Sequence, residues 1–363
     1  MPILLRSLIA LPGCWPAVLR TLAGSALCLA LCSAPVCAAA PEYQFRVVGG
    51  LAGVSQFTQW EEPFWTRELP RMSGGRFKAD IVPFDRAGIA GDDMLRLLQL
   101  GVVPFGTVLM SNLTASHPQY SAPDLAGLNP DMASARASVA AFRPYLEHSL
   151  REQHGVQLLA LYAYPAQVVF CKKPFAALTD LAGRRVRVSS AGQADFLEAL
   201  GAKPVHTPFA QIVAHLESGS VDCAVTGTLS GNGLGLHEVT RYLHALPLNW
   251  GVALFAVNQS AWEALPADLR SLLLRELPKL EAAIWNESER DTAQGIACNT
   301  GQAACAKGRP GRMVLVPVSP GDERRRQEIF ATTVLPRWLQ RCGQSCAAVW
   351  NQTIGPARGI PAR

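Results

Sequence analysis

Two arginines in one predicted strand are the side chains of this sequence best suited to bind an anion. Arg185 and Arg187 alternate with Val186 and Val188, and successive side chains of a strand point to opposite faces, so the arginines share one face. A guanidinium where such a strand ends, at the crevice of an open α/β sheet, can hold a carboxylate through two parallel hydrogen bonds. The segment alone slightly favours the other interpretation, a solvated edge with both arginines directed outward.

A second anion-binding feature follows directly. Ser190 is expected to cap a helix, with Gln193 three residues later completing a capping box. A helix start of this kind adds a weak preference for anions. Thr207 and Pro208 are expected to begin the next helix as its N-cap and first residue, and Gly219 to end it.

A glycine-rich segment, Gly227 to Gly235, raises the question of nucleotide binding. The G-x-G-x-x-G motif would need glycine at 231, 233 and 236, but Leu236 occupies the third position, where close helix–strand packing requires glycine. No G-x-S-x-G or H-E-x-x-H motif occurs. A triad could still be assembled by the fold, since triads are defined by geometry. With no nucleophile–base pair placed by the sequence, we predict no enzyme, no catalytic residue and no cofactor.

The elements that must position these residues alternate between strand and helix. Strands are predicted at Phe45–Gly49, Phe77–Pro83 and Phe105–Met110 in the first half, for example, with a helix carrying Phe57, Trp60, Phe64 and Trp65 after the first of them. Such alternation favours parallel sheets with helices on both faces. The length of 363 residues favours two such α/β lobes.

The first 39 residues have the pattern of a secretory signal peptide. Arg6 and Arg20 precede an apolar stretch, and small residues follow up to Ala39; a retained membrane anchor is the alternative. Removing the two arginines reduces the formal charge from +5 to +3, which does not indicate nucleic-acid binding. We therefore expect a protein secreted to the periplasm.

Six cysteines remain after residue 39. Cys298 with Cys305, and Cys342 with Cys346, form close pairs consistent with disulfides in an oxidising compartment. Cys171 and Cys223 are left open as paired or free. The close pairs are spaced more widely than C-x2-C and have no histidine nearby, so no metal site is predicted.

Five motifs in a fixed order resemble a known family, the solute-binding subunits of TRAP (tripartite ATP-independent periplasmic) transporters of the dicarboxylate-binding type. The resemblance runs from about Phe45 to Val349. It is carried by Ser73-Gly74-Gly75-Arg76, Asp180-Leu181-x-Gly183-x-x-Val186-Arg187-Val188, Leu200-Gly201-Ala202-x-Pro204-Val205, Leu216-x-x-Gly219-x-Val221-Asp222 and Trp262-x-x-Leu265-Pro266-x-Asp268-Leu269.

The resemblance implies a receptor whose two lobes close over a small organic acid, with Arg187 pairing with the ligand carboxylate. It implies further ligand contacts, which are Gln167, Phe209, Thr226, Trp250, Gln56 and Ser111. Gln167 stands where some relatives have a second arginine, which favours a monocarboxylate or an acid with a neutral tail.

The resemblance also implies the organisation and the partners of the chain. One lobe is expected from residues 40–164 and 252–290, the other from 165–251 and 291–350, with a tail at 351–363. The expected partners are the membrane subunits of a TRAP transporter, and the receptor itself is expected to be a monomer. A sensor that presents its ligand to a membrane receptor is the alternative, and a periplasmic enzyme on the same scaffold is a more remote one.

Overall fold

Two mixed β-sheets flanked by helices make up the part of the chain that the structure, a computed structural model, describes: residues 43–362. The predicted signal peptide, residues 1–39, lies outside the described residues. Among residues 43–362, none of the helices combines the length and the hydropathy that a membrane span needs.

The strands are short and spread over the whole described chain. In chain order they are β1 (Tyr43–Gly49), β2 (Phe77–Pro83), β3 (Phe105–Leu109), β4 (Val156–Tyr162), β5 (Gln167–Cys171), β6 (Arg185–Val188), β7 (Lys203–His206), β8 (Cys223–Gly227), β9 (Tyr242–Asn249), β10 (Ala253–Asn258) and β11 (Val314–Val316).

The helices range from single turns to a helix of 33 residues. They are α1 (Leu69–Met72), α2 (Met94–Gln99), α3 (Met132–His154), α4 (Ala191–Ala199), α5 (Ile212–Glu217), α6 (Thr228–Leu234), α7 (Leu236–Val239), α8 (Gln259–Glu263), α9 (Ala267–Asn299), α10 (Pro320–Ile329), α11 (Leu335–Cys342), α12 (Gln344–Gln352) and α13 (Ile354–Arg358). Shorter 3₁₀ and π-helical segments occur at Gln56–Glu61, Phe64–Glu68, Gly91–Asp93, Met110–Leu113, Pro118–Asp124, Leu178–Leu181, Phe209–Gln211 and Phe330–Val334.

Each sheet contains an antiparallel strand inside an otherwise parallel arrangement. The first sheet has the order β2-β1-β3-β10-β4, and the second has the order β11-β9-β5-β8-β6-β7. Strand β10 runs antiparallel to β3 and β4, and β5 runs antiparallel to β8 and β9. The predicted two-lobed α/β fold is thus confirmed, but its sheets are mixed.

The antiparallel strands follow from how the chain moves between the sheets. Strand β5 comes directly after β4, and β10 directly after β9, although the members of each pair lie in different sheets. Only residues 163–166 and 250–252 separate them. Parallel neighbours in one sheet require a long crossover connection, usually a helix. Strands β5 and β10 each enter their sheet directly from the other sheet, without such a crossover.

The predicted helix after β1 is present but consists largely of π-helical turns, Gln56–Glu61 and Phe64–Glu68. Pro63 and Pro70 lack the N–H group that would continue the i→i−4 hydrogen bonds, which disturbs the α-helical pattern on either side. The spacing of the aromatic residues still buries Trp65, whose ring packs 5.4 Å from that of Phe255 between centroids.

All six cysteines of the described chain form disulfides. Cys171 and Cys223 face each other in the β5–β8 register and are bridged, which answers the question the sequence left open. The two close pairs are bridged as expected, Cys298 to Cys305 and Cys342 to Cys346.

Candidate functional site

The chain passes from one sheet to the other at residues 163–166 and 250–252, which we call the two crossings. The polar residues of interest lie near the strand ends at these crossings. In the second sheet, Gln167 at the start of β5 pairs with Gly227 at the end of β8 and with Asn249 at the end of β9. The two crossings are joined by the backbone, because Tyr164 N donates to Trp250 O at 3.0 Å. Ligands of α/β sheets commonly bind at such edges, so we describe this region as the candidate site.

Arg187 is a buried cation in β6. Its side chain is only 3% exposed, and its Nε and Nη1 groups donate to Thr207 O and Val225 O, both at 2.8 Å. No carboxylate within residues 43–362 forms an ion pair with it. Both hydrogen-bond partners are neutral carbonyls, so the positive charge is solvated by dipoles and has no counter-ion.

The neighbouring Arg185 has a different environment on the same face of the strand. It is exposed, and its Nη2 pairs with Asp222 Oδ1 at 2.8 Å. The solvated-edge interpretation therefore describes Arg185 but not Arg187.

Burial makes the charge of Arg187 unfavourable. Desolvation lowers its pKa from the ordinary arginine value to about 10, and it still leaves the guanidinium charged at neutral pH. The pKa of nearby His206 is lowered, first by its own desolvation and then by the charge of Arg187. An anion placed beside Arg187 would offset this electrostatic cost.

Thr207 has a role that the sequence did not reveal. It was predicted to cap a helix, but the chain remains extended at Pro208 and the helical turn Phe209–Gln211 precedes α5. Thr207 instead turns its carbonyl toward Arg187, so the prediction of a cap was wrong. Phe209 lies two residues further on and is half-buried.

Two of the predicted contacts of the second sheet lie near its edge. Thr226 is buried in β8, directly after the carbonyl of Val225 that accepts from Arg187. Gln167 is half-buried, and its Nε2 donates to Pro165 O at 2.9 Å. A side chain on Gly227 or Gly251 would approach Gln167 Nε2 to 3.1 or 3.2 Å, so glycine at both positions leaves room for it.

Trp250 and Gln56 are both engaged in hydrogen bonds within the protein. The indole Nε1 of Trp250 donates to Asn129 O at 3.1 Å. The Nε2 of Gln56 donates to Glu61 Oε1 at 2.7 Å, and its Oε1 is buried without a partner among residues 43–362. Both side chains are buried.

Ser111 lines a cavity that also brings in the second sheet. Ser111 follows β3, whereas Ser190 and Gly192 lie in the segment after β6. The other polar residues of the wall are Thr114, Ser121, Asp124 and Asn249. The cavity has a volume of about 20 Å³, which is room for about one water molecule. The structure thus places Ser111 in the same cavity wall as Ser190, at the helix start that follows Arg187.

Asp124 is a site residue that the sequence analysis missed. Its carboxylate accepts four hydrogen bonds from one short segment, from Trp250 N, Gly251 N and Val252 N and from the side chain of Asn249. Burial is the main cause of a raised pKa for Asp124, against the lowering effect of these hydrogen bonds. An acid within an apolar segment, residues 120–125, is the signal that could have indicated it.

Glu61 is a second acid without a motif to mark it. It is 1% exposed and accepts hydrogen bonds from Gly50 N, Gln56 Nε2 and Thr107 Oγ1. Desolvation raises its pKa from 4.5 to about 7, although those hydrogen bonds act in the opposite direction.

A chain of side-chain hydrogen bonds connects Asp124 with the start of α4. Asn249 donates to Asp124, and Gln193 Nε2 donates to Asn249 Oδ1 at 2.8 Å. The predicted cap at Ser190 is confirmed, since its Oγ accepts from Gln193 N. The side chain of Gln193, however, accepts from Ser189 N instead of completing the box at Ser190.

The glycine-rich segment does not form a phosphate-binding loop. Residues Thr228–Leu234 are helix α6, which ends at the left-handed Gly235. Gly231 fits closely against the ring of Phe170, to which a Cβ would approach 2.8 Å. This glycine therefore serves helix–sheet packing.

Two α/β lobes joined by two short connections, with a buried cation in β6 and a small cavity lined from both sheets, define the class of two-lobed binding proteins. Residues 57–301 match the family of bacterial extracellular solute-binding proteins, family 7, also called DctP. The chain belongs to this family, which consists of solute-binding receptors and not of enzymes.

Among curated proteins, the chain is similar to the C4-dicarboxylate-binding periplasmic protein DctP of Rhodobacter capsulatus, with 26% identity over 202 residues, 54% of this chain and 57% of the relative. It is also similar to the ectoine-binding periplasmic protein TeaA of Halomonas elongata, with 25% identity over 125 residues, 34% of this chain and 37% of the relative. The matches thus span less than two thirds of either relative.

A solved structure resembles the chain over nearly its full length. DctP7, an extracytoplasmic solute receptor of Bordetella pertussis that binds pyroglutamic acid, has a TM-score of 0.76 at 22% identity, covering 85% of this chain and 99% of its own. This likeness shows a shared fold.

Proposed function

We propose that the protein is a periplasmic receptor that captures a small organic acid and delivers it to a TRAP-type transporter. The observation that carries the proposal is Arg187, a buried guanidinium that is held by the carbonyls of Thr207 and Val225 and has no counter-ion among residues 43–362. A ligand carboxylate would supply the missing charge through short, charge-assisted hydrogen bonds. The protein would act by binding and release, without turnover, as a monomer.

The remaining predicted ligand contacts differ in how near they lie to Arg187 and to the cavity. Thr226 and Phe209 lie close in sequence to the two carbonyls that hold Arg187, and Ser111 lines the same cavity as Ser190. Gln167 lies at the same edge of the second sheet. Gln56 and Trp250 are buried and hydrogen-bonded inside the protein, so we assign them the shaping of the site.

Ligand binding would require the lobes to move. A cavity of about 20 Å³ is too small for an organic acid, since about 10–15 Å³ is needed for one water molecule on this measure. Residues 163–166 and 250–252 connect the sheets and are the places where a hinge can act. We propose lobes of residues 40–164 with 252–290 and of residues 165–251 with 291–350, to which the strand membership of the two sheets conforms.

The relatives support the class of ligand but do not select one. Their names record ectoine, C4-dicarboxylates and pyroglutamic acid, which are small acids of different net charge. A carboxylate is common to them, and the buried arginine is suited to that group.

A thermal-shift screen of residues 40–363 against small carboxylates and neutral solutes tests the proposal. A ligand at a hundred times its Kd adds about 2.7 kcal/mol of stability, which moves the melting temperature by about 4 °C for a protein of this size. One or a few carboxylates should produce such a shift. If only neutral solutes do so, the carboxylate receptor is refuted while the binding-protein fold is unaffected.

A further inference from the structure

Asp124 is an acid without a cationic partner in the wall of the cavity. Its four hydrogen bonds come from three backbone N–H groups and one side-chain amide. No lysine, arginine or histidine of residues 43–362 forms an ion pair with it. Its negative charge is therefore stabilised by dipoles only, as the positive charge of Arg187 is on the side of the second sheet.

The two carboxylate oxygens of Asp124 are used unequally. Oδ2 accepts from Asn249 Nδ2 and Gly251 N at 2.8 Å and from Val252 N at 3.2 Å, whereas Oδ1 accepts only from Trp250 N at 2.8 Å. A carboxylate has about four lone-pair positions on its two oxygens. Oδ1 thus keeps capacity for one more donor, and Asp124 lines the same cavity as Ser111 and Ser190.

Glu61 adds a second acid near the same crossings. A Cβ on Gly50 would lie 3.4 Å from Glu61 Oε1 and 2.9 Å from Tyr164 Oη, and a Cβ on Gly251 would lie 3.4 Å from Tyr164 Cβ. Tyr164 therefore connects the surroundings of Glu61 with the segment that Asp124 holds. The candidate site so combines one buried cation with Asp124 and with Glu61, whose pKa of about 7 leaves it partly charged at neutral pH. This balance is unfavourable for a dianion.

We infer that Asp124 is a specificity-determining residue, whose Oδ1 accepts a hydrogen bond from an N–H or O–H group of the ligand and whose charge excludes a second carboxylate. The ligand would be a monocarboxylate that carries such a donor, as a lactam, a hydroxy acid or an amino acid does. The inference rests on the proposed function, because Arg187 must hold the first carboxylate. A second carboxylate near Asp124 would be repelled as a like charge.

The test compares matched ligands by isothermal titration calorimetry on the unaltered protein. Pyroglutamate is paired with its lactone analogue 5-oxotetrahydrofuran-2-carboxylate, in which a ring oxygen replaces the N–H group, and lactate is paired with propionate. Succinate and glutarate represent the dicarboxylates. The donor-bearing member of a binding pair should bind roughly tenfold more tightly or better, which is the effect of about one hydrogen bond to a charged group, and both dicarboxylates should bind more weakly still.

A variant separates the charge of Asp124 from its shape. Asp124→Asn keeps the size of the side chain and one oxygen, so discrimination against succinate should fall by roughly tenfold or more. Asp222→Asn makes the same change at the opposite end of the second sheet, beside Arg185, and should leave ligand preference unchanged. If Asp124→Asn fails to fold, the matched ligands on the unaltered protein decide alone.

The outcomes distinguish the inference from the proposed function. Tightest binding of a dicarboxylate, or equal binding within the matched pairs, overturns the role of Asp124 and leaves the receptor in place. Binding of no carboxylate at all overturns the proposed function and this inference with it. Binding that survives Arg187→Ala overturns the role of Arg187 and this inference, because Arg187 must hold the first carboxylate, and leaves the receptor in place.

Discussion

Replacing Arg187 by alanine should remove most of the ligand affinity while leaving the fold intact. Arg185→Ala is the matched control, because it removes the same side chain from the same strand two residues earlier. Arg185 is exposed and paired with Asp222, whereas Arg187 is buried and has no counter-ion within the described range 43–362. The control should therefore bind like the unaltered protein.

The expected loss of affinity follows from the hydrogen bonds that the guanidinium would form. Each charge-assisted hydrogen bond to a carboxylate contributes about 1.5–3 kcal/mol. A pair of them amounts to about 3–6 kcal/mol, so affinity should fall by roughly a hundredfold or more.

The expected effect on stability is small because two contributions oppose each other. A pKa that burial lowers to about 10 means that the fold disfavours the charged form by about 3 kcal/mol at neutral pH, and this penalty disappears in Arg187→Ala. Against it, Thr207 O and Val225 O lose their donor, at about 1–3 kcal/mol for each group left unsatisfied. The melting temperature without ligand should accordingly remain within several degrees of the original.

Calorimetry and thermal shift measure both quantities on the same protein. We expect an unchanged circular dichroism spectrum, a similar melting temperature and no ligand-induced shift. An Arg187→Ala protein that still binds within about tenfold of the original affinity would refute the reasoning, because its buried charge would then play no part in recognition.

Three further predictions concern a buried acid, a disulfide and the charge of the site. The pKa of Glu61 is raised from 4.5 to about 7, so its contribution to stability is greatest below pH 4.5 and declines by about 3 kcal/mol as pH rises through 7. Glu61→Gln should therefore reduce the difference between the urea midpoints at pH 5 and pH 8. An unchanged difference would contradict this. The double variant Cys171→Ala, Cys223→Ala removes a disulfide that spans 52 residues and should reduce the free energy of unfolding by about 4 kcal/mol. Affinity should not change, since the disulfide lies at the end of β5 away from Gln167. Equal urea midpoints would argue against the stability prediction. Gln167→Arg adds a guanidinium beside Gly251, whose N–H binds Asp124, and should increase succinate affinity by roughly tenfold, whereas no increase in calorimetry would show that this side chain does not reach the ligand.

Local patterns in the sequence predicted individual elements well. The range Phe77–Pro83 of β2 and the cap of α4 at Ser190 are as expected, because both depend on neighbouring residues. The alternation at residues 185–188 placed both arginines on one face. It could not distinguish their depth, which depends on β7 and β8 covering Arg187 from positions distant in sequence.

What the sequence could not predict arises from contacts between distant segments. Asp124 binds residues 249–252, more than a hundred positions later, and no periodicity records such a contact. The carbonyl of Thr207 is another example. The Thr-Pro pair indicates a helix start, and only the structure shows that this carbonyl accepts a hydrogen bond from Arg187. Antiparallel β5 and β10 likewise depend on where the chain leaves the other sheet.

The placement of Arg187 indicates why affinity and stability should be linked in this fold. Two backbone carbonyls fix the guanidinium through Nε and Nη1, so its orientation is set before a ligand arrives and little side-chain entropy is lost on binding. The unfavourable charge is kept in the fold without ligand, and only an anion relieves it. The free energy lost by burying the arginine in the empty protein is therefore recovered on binding, so a carboxylate should stabilise the fold more than a neutral molecule of the same size would.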